Sequence, residues 1–455
     1  MNVAVFGAGH VGLVTSVCLA EVGHSVVCVD VDRAKIESIR AGTPPFFEPG
    51  LAELLLRGRA TGRLRATSSV AEAMEGSEVS IIAVGTPDRD GRIDLVYVLE
   101  AAGIIGERIR DFGTFHTVIV KSTVVPGTTT GPVRELLECR SGRRAGVDFG
   151  LGMNPEFLRE GSAVRDFLCP DRVVLGALEG RTAEVMQRLY ALQECPKLTV
   201  HPTEAELIKY AANALFSTLI SFSNEMFNLC EAIAGVDGST VLKGALLDHR
   251  WTPRIDGKLL APGVQDYVTG GVGYGGSCFP KDMNAITSMA RDLGCRAPLL
   301  EAVVEVNRRR PVVVVERLKR ETGGLKRRKV AVLGMAFKPG TDDWRNSPSL
   351  PLIGALLEEG SSVAAWDPMT GAEAVHGWKG RVSLSRDPGE VLESAHIAII
   401  ATAWPEIARW PWDDLGQSMA QPVVYDGRNL MAGFAWPTGF RYIPAGSGKK
   451  TGETR

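Results

Sequence analysis

Residues 2 to 7 form a short apolar run that leads straight into Gly7-Ala8-Gly9-His10-Val11-Gly12, and residues 13 to 22 then carry an apolar face at helical spacing. The pattern predicts a strand, a glycine turn and a helix. A second apolar run, from Ser25 to Val29, ends in Asp30, eighteen residues beyond Gly12. An acid near that offset is where a dinucleotide-binding unit holds a ribose. Gly7 would permit the tight turn, Gly9 the approach of a pyrophosphate, and Gly12 close packing of helix on strand; a purely structural turn is the competing reading. Asp30 would accept hydrogen bonds from both ribose hydroxyls and repel a 2′-phosphate, which favours NAD over NADP, with Arg33 and Lys35 weighing the other way. Further strands are predicted at 79 to 84 and 117 to 120, followed by Gly85-Thr86-Pro87 and Lys121-Ser122-Thr123. Ligands bind beyond the carboxyl ends of such strands, so Thr86 and Thr123 are candidate contacts, with strand-end caps as the alternative.

From residue 203 the pattern changes to one long helix, with apolar residues at 207, 208, 211, 212, 215, 216, 219 and 220. Thr203 and Glu206 are spaced as a capping box, and Gly235 is placed to stop the helix near Ala234. A helix of this length and character is a domain spine or a dimer interface. Lys209 and Asn213 interrupt it at i, i+4 and so share a face. A buried cation with an amide one turn on would suit a developing oxyanion; a solvated helix edge is the alternative. After residue 325 the pattern of the first half returns in weaker form. Strands are predicted at 329 to 333, ending in Gly334, at 363 to 366, ending in Asp367, and at 396 to 400. This second unit lacks a full glycine fingerprint and should bind something other than a dinucleotide. Its polar loop, Phe337-Lys338-Pro339-Gly340-Thr341-Asp342-Asp343-Trp344-Arg345, offers Lys338 and Arg345 as phosphate clamps or as ordinary loop charges. The expected fold is α/β, with two doubly wound Rossmann-like domains joined by a helical domain with one long central helix. The expected boundaries are 1–200, 201–310 and 311–445, with 446–455 as a disordered tail.

Composition narrows the chemistry. With 455 residues, a net charge of -2 and no basic block, the chain points to a small-molecule ligand rather than to nucleic acid or a membrane surface. No leader-like segment or membrane-length apolar run is evident, so a soluble cytoplasmic protein is expected. Eight cysteines and seven histidines are scattered without metal-ligand spacing, and no metal is expected. One cysteine stands apart. Gly275-Gly276-Ser277-Cys278-Phe279-Pro280-Lys281-Asp282 puts Cys278 where a glycine-rich loop becomes a helix, with Pro280 suited to the first helical position. The positive end of the helix and Lys281 would both favour the thiolate, and the two glycines would let the backbone approach a ligand closely. A glycine turn holding a small apolar residue is the bland reading.

With these parts in place the chain resembles the UDP-glucose/GDP-mannose dehydrogenase family, and within it the branch that acts on UDP-glucose; the same chemistry on GDP-mannose or a UDP-N-acetylhexosamine, and a two-electron NAD-dependent alcohol dehydrogenase with a structural Cys278, are the alternatives. The resemblance is carried by Gly7 to Gly12, Phe47-Glu48-Pro49-Gly50-Leu51, Gly85-Thr86-Pro87, Lys121-Ser122-Thr123-Val124, Asn154-Pro155-Glu156-Phe157-Leu158-Arg159-Glu160-Gly161, Lys209 to Asn213, the segment around Cys278, the loop from Phe337 to Pro348, and Asp426-Gly427-Arg428-Asn429. It implies oxidation of a nucleotide-sugar C6 alcohol to a carboxylate by two hydride transfers to NAD. It implies that Cys278 forms a thiohemiacetal and then a thioester. Lys209 and Asn213 would steady the oxyanion, Asp282 would orient the lysine or a water, and Glu156 with Thr123 would activate the hydrolytic water.

By the same resemblance Gly7, Gly9, Gly12, Asp30, Lys35, Thr86, Thr123, Glu160 and Lys281 would serve NAD. Phe157, Leu158, Glu160, Lys209, Asn213, Tyr274, Gly275, Phe337, Lys338 and Arg345 would serve the sugar nucleotide, with Arg254, preferred over Arg250, reaching from a neighbouring subunit. A homodimer or higher homo-oligomer is expected. The chain departs from the family pattern in an apparent insertion at 264 to 271, in that second arginine, and in His10, where a tyrosine is common.

Overall fold

The computed structural model describes residues 1–378 and 380–449. The chain divides into two compact units, Met1–Ala212 and Asn213–Arg455, and the division falls inside the long helix Pro202–Ala232.

The first unit is built on an eight-stranded sheet. Its order across the sheet is Lys197–Val200, Val173–Ala177, Gly150–Met153, Thr117–Val120, Val79–Ile82, Asn2–Phe6, Ser25–Val29 and Leu64–Thr67. All neighbours are parallel except Gly150–Met153 with Val173–Ala177. A parallel sheet is covered on both faces, which explains why its strands are almost wholly apolar rather than alternating. Val3 and Val5 pack on one face with Leu13 and Val17 of the helix His10–Glu21 and Leu51 and Leu55 of the helix Leu51–Ala60. Ala4 and Phe6 pack on the other with Ile105 and Leu137. The strand order reverses beside Asn2–Phe6. That reversal opens the crevice in which α/β sheets bind ligands. The strand expected at 79 to 84 stops at Ile82, with Ala83 N still bonded to Phe6 O at 2.8 Å where the turn at Gly7 comes close to Ala83 O.

The second unit holds a six-stranded, wholly parallel sheet in the order Val382–Ser385, Ser362–Trp366, Lys329–Leu333, Ile397–Ile400, Val423–Asp426, Arg441–Pro444. Counted along its own chain this is 3-2-1-4-5-6, the same winding as the first six sheet strands of the first unit. The weak recurrence seen in the sequence is therefore a second doubly wound unit. Around it lie the helices Gly238–Leu246, Phe279–Asp292 and Pro298–Thr322. No helix of the described residues is long and apolar enough to cross a membrane.

Three expectations are corrected. The long helix begins at Pro202, and its first turn is closed by Glu204, whose Oε2 accepts from the His201 amide at 2.9 Å. Glu206 makes no capping box with Thr203; it is buried and accepts instead from the amides of Gly127 (2.6 Å) and Thr129 (2.8 Å), because those donors face it in the interior. The tail expected to lose structure at Gly446 is bonded into the unit through Ser447 and Gly448. Gly446 N donates to Glu231 at 2.8 Å, Arg317 donates to Ser447 O at 2.6 Å, and Gly448 N donates to Val236 O at 2.8 Å. Its glycine is required twice over, by a φ of +78° and because a Cβ on Gly446 would sit 2.5 Å from the Phe227 ring. Residues 450–455 lie outside the described residues. The apparent insertion, finally, is part of the packing: Tyr267 stacks on Phe216 at 4.2 Å, and Gly271 is held by Asn224 and by the buried Arg310.

His116 tests the interior of the first unit. It is 1% exposed, with Nδ1 3.0 Å from Ser77 O and Nε2 2.9 Å from Ser80 Oγ, and burial pushes its imidazole down from 6.5 to about 4. Between those values the unfolded chain binds a proton that the folded chain refuses. The neutral ring's contribution is thus complete above pH 6.5 and lost as pH falls toward 4, a change on the order of 3 kcal/mol. Urea unfolding of this unit at pH 7 and pH 5 should show the loss in the wild type and a flatter dependence in His116→Asn; equal slopes would refute it.

Candidate active site

The glycine turn of the first unit is a steric device. Gly7 has φ +106° and donates its N–H to Val29 O at 2.7 Å, and a Cβ there would lie 2.5 Å from Ala83 O. Gly12 is tighter still, since a Cβ would meet Gly7 O at 1.9 Å. Gly9, by contrast, faces open space at the start of the helix His10–Glu21. A concave backbone at a helix N-terminus with room in front of it fits a pyrophosphate. Asp30 closes the turn by accepting from Ala8 N at 2.7 Å and from Asp32 N at 2.9 Å. A carboxylate has roughly four acceptor sites, so Asp30 retains capacity for ribose hydroxyls. Lys35 is drawn to Asp30 and Asp32, with its Nζ 3.9 and 4.0 Å away. It screens that acid rather than standing ready for a 2′-phosphate. The residues therefore fit NAD.

Next to the turn, His10 stacks on Phe46 and brings Nε2 to 3.2 Å from Glu48 Oε2. Glu48 is buried and accepts from the amides of Gly161 and Ala163, each at 2.8 Å. Its carboxylate thereby holds residues 161–163 beside His10 of the glycine turn. Sequence reasoning quoted Glu48 without a role, and the Pro-Gly that follows it was the available signal for a fixed turn.

Beyond the ends of adjacent strands the chain gathers charge. Lys121 to Thr123 follow the strand Thr117–Val120, and Asn154 to Phe157 follow Gly150–Met153. Glu156 is buried, with Oε1 3.0 Å from Lys209 Nζ and Oε2 accepting from Leu158 N at 2.6 Å. Burial alone would raise its carboxyl. Lys209, the Leu158 amide and Lys121 outweigh that and hold it below the usual carboxylate range. Lys209 also lies 5.5 Å from the centre of the Phe157 ring, whose face carries the Arg172 guanidinium at 3.7 Å. A cavity of about 250 Å³ is lined by Glu156, Phe157, Leu158, Lys121, Asn154 and Tyr190 among others. Thr86 and Thr123 stand half-buried at the ends of their strands, as does Glu160 in its loop. Lys209 and Asn213 are both buried, so their helix face is not a solvated edge.

In the second unit Cys278 is the N-cap of the helix Phe279–Asp292, half-buried beside Ser277 Oγ at 3.7 Å. The helix starts at Phe279, which puts Pro280 second rather than first; its missing N–H is still an orphan position. Asp282, 2% exposed, accepts from Asn213 Nδ2 and Lys281 Nζ, both at 2.6 Å. Lys281 is thus paired with Asp282, and Asp282 also holds the Asn213 amide.

Packing requires the two glycines on their Cβ side, since a Cβ on Gly275 would lie 2.3 Å from Asn346 O and one on Gly276 2.9 Å from Phe337. Gly276 N donates to Arg345 O at 3.0 Å, and Asn307 clasps the backbone of the buried Tyr274 from both sides. Arg345 forms a two-pronged pair with Asp343, and Lys338 Nζ lies 5.5 Å from the Phe337 ring. Arg250 is paired with Asp248, while Arg254 lies exposed on the ribbon Arg254–Ile255 with Lys258–Leu259.

Asp367 occupies in the second sheet the place of Asp30 in the first, yet it is spent. It accepts from Met335 N, Ala336 N and Trp404 Nε1 on one oxygen and from Met369 N and Thr370 N on the other, and it is wholly buried. No capacity remains for a ribose.

Two doubly wound sheets, one with a working dinucleotide turn, and a helix-start cysteine define a nucleotide-dependent dehydrogenase. The comparisons make this specific. Three models of the UDP-glucose/GDP-mannose dehydrogenase family match the chain: the NAD binding domain over residues 1–193, the central domain over 203–309 and the UDP binding domain over 331–433. A UDP-glucose 6-dehydrogenase of Bacillus subtilis, TuaD, is 38% identical over 95% of this chain and 90% of its own. A GDP-mannose 6-dehydrogenase of Pseudomonas syringae is 40% identical over 83% of each chain. The solved structure of a UDP-glucose dehydrogenase from Pyrobaculum islandicum matches at a TM-score of 0.87 and 39% identity, covering 98% of this chain and 97% of that one. The chain belongs to the UDP-glucose/GDP-mannose dehydrogenase family. It is an NAD-dependent nucleotide-sugar 6-dehydrogenase.

The glycines of the turn separate binding from folding. Gly9→Ala adds a methyl where space is open, so its melting temperature should stay within about 1 °C of wild type while NAD affinity falls about tenfold, or 1.4 kcal/mol. Gly12→Ala should lose both. Calorimetric titration with NAD and thermal melts read the two effects, and unchanged NAD affinity in Gly9→Ala would contradict the assignment.

Proposed function

We propose that this protein oxidises the C6 alcohol of UDP-glucose to the carboxylate of UDP-glucuronate, through a thiohemiacetal and a thioester on Cys278. The observation that carries the reading is a thiol at the N-terminal end of the helix Phe279–Asp292, one turn from Asp282, which aims the Asn213 amide. NAD, when bound, takes up the hydride of each of the two oxidations. The chain supplies the rest.

The first oxidation removes a hydride from C6 and passes the proton of its hydroxyl to water, and Lys209 and Asn213 offer N–H donors to the oxygen as charge develops on it. Cys278 Sγ then adds to the aldehyde carbon, and loss of the second hydride leaves a thioester. Water attacks the thioester carbon, Glu156 takes the water's proton, Thr123 helps place that water, and the thiolate departs. Glu156 enters this step ionised, since Lys209 and its amide bond hold its carboxyl low. It becomes a better base when Lys209 turns its ammonium to the substrate oxygen.

In the same reading Gly7, Gly9, Gly12, Asp30, Lys35, Thr86, Glu160 and Lys281 serve NAD. Phe157, Leu158, Tyr274, Gly275, Phe337, Lys338 and Arg345 serve the sugar nucleotide. UDP-glucose is preferred to GDP-mannose because the solved UDP-glucose dehydrogenase matches at a TM-score of 0.87 and 39% identity against 0.54 and 33% for a solved GDP-mannose dehydrogenase, while the other relatives of the two kinds are about equally similar. A homodimer or larger homo-oligomer belongs to the reading, with Arg254 reaching a neighbouring subunit. Its support is a row of exposed apolar side chains along the long helix at Leu207, Leu215, Phe222 and Leu229. A cytoplasmic location belongs to the same reading.

The test is stoichiometric. Incubation with NAD and UDP-glucose should yield two NADH per sugar consumed, and Cys278→Ala should abolish carboxylate formation. One NADH per sugar, or full four-electron turnover without the thiol, would sink the mechanism, and faster turnover of GDP-mannose would move the substrate to the other branch.

A further inference from the structure

The mechanism gives Lys209 two tasks that conflict. In the structure its ammonium neutralises Glu156 at 3.0 Å, and in the reaction it must serve the substrate oxygen. Glu156 is buried, and a carboxyl in such a place that loses its cation is pushed up by burial. A protonated Glu156 takes no proton from water. Something else must keep it charged.

Lys121 is placed to do so. Its side chain, 3% exposed, lines the same cavity as Glu156 and starts from the end of the neighbouring parallel strand. Nζ donates to Asn154 Oδ1 at 2.7 Å and lies 3.5 Å from Tyr190 OH. Asn154 in turn donates to Val174 O at 2.9 Å, which fixes its oxygen toward the lysine. The ammonium also lies 5.7 Å from the ring centres of both Phe167 and Tyr190. Its hydrogen-bond and ring partners are all neutral, and the charges that act on it are those of Glu156 and Lys209, so its field falls on Glu156. Other charges around the cavity are otherwise engaged. Arg159 is paired with Asp166, and Arg172 is stacked on Phe157 beside Asp171, while Arg165 is exposed at the rim. The Tyr190 hydroxyl is pushed above its ordinary range by burial and stays neutral.

We propose that Lys121 is a positioning residue, a standing buried cation that keeps Glu156 ionised for thioester hydrolysis while Lys209 is turned to the substrate. This rests on the mechanism proposed above. Burial pushes the Lys121 ammonium down to about 8, with Glu156 opposing and Lys209 adding to the shift, so it remains charged throughout the acid range in which Glu156 would titrate.

The experiment follows thioester hydrolysis in the full-length protein from pH 5 to 8. Single turnovers with UDP-glucose and NAD are quenched and assayed for carboxylate and for the sugar adduct on Cys278. Lys121→Met should move the acid limb of hydrolysis up by at least one pH unit, about a tenfold loss at pH 6, with adduct accumulating there and recovery toward pH 8. Tyr190→Phe, which keeps the charge, should leave the limb in place. A uniform loss at every pH, or an unmoved limb, in Lys121→Met overturns the proposal. Should that variant not fold, Asn154→Asp decides: a carboxylate against Lys121 spends its charge and must raise the same limb, and an unmoved limb there overturns it equally. Two NADH per sugar in the wild type with no limb shift in the variants defeats only this inference; one NADH per sugar defeats the mechanism and this with it.

Discussion

The turn that follows the first strand of each sheet is the constraint on which the rest of this protein depends. At Gly7 and again at Gly334 the chain leaves the strand with φ +106°, its N–H bonded at 2.7 Å to the last residue of the next strand over. An acid at the end of that neighbouring strand, Asp30 or Asp367, then accepts from the amides just past the glycine. A Cβ at either glycine would collide with the strand beyond, at Ala83 O or Thr402. This one arrangement sets where each sheet's order reverses and hence where each unit can receive a ligand.

The two copies diverge in how much of the acid is left over. Asp30 has two backbone donors and a nearby lysine, which leaves room for hydroxyls. Asp367 has five donors, including the indole of Trp404, and no exposure. The same topology thus yields one site able to read a ribose and one whose acid is purely architectural. Specificity of ligand class here follows from hydrogen-bond saturation rather than from fold.

Charge in the first unit obeys a similar economy. Burying Glu156 is unfavourable unless cations accompany it, and the chain brings Lys209 from a helix and Lys121 from a strand end to the same place. One of these is tied by an ion pair that chemistry must break, and the other is held only by neutral partners. The second unit treats its own buried acid in the same way: Glu231 is flanked by Arg317 at 2.7 Å and Arg310 at 3.4 Å, and through Gly446 it ties the last described residues to the long helix.

Much of this was legible in the residues. The strands Ser25–Val29, Thr117–Val120 and Lys329–Leu333 lie where the apolar runs placed them, because a strand buried on both faces must be apolar throughout and the run itself marks it. The glycine fingerprint and the helix-start cysteine were legible for the same reason: their steric and electrostatic demands are local. Partners distant along the chain were not. That Glu206 serves Gly127 and Thr129, that Asp282 holds Asn213, that Gly275 is pressed against the loop at 346 to 348 and Gly276 against Phe337, and that Lys121 shares a cavity with Glu156 are all consequences of segments tens of residues apart meeting in the interior. The sequence determined which chemistry-bearing groups exist and on which elements they ride; only the tertiary structure decided which of those charges are spent and which remain available, because a hydrogen bond or ion pair is settled by distance in space and not by spacing along the chain.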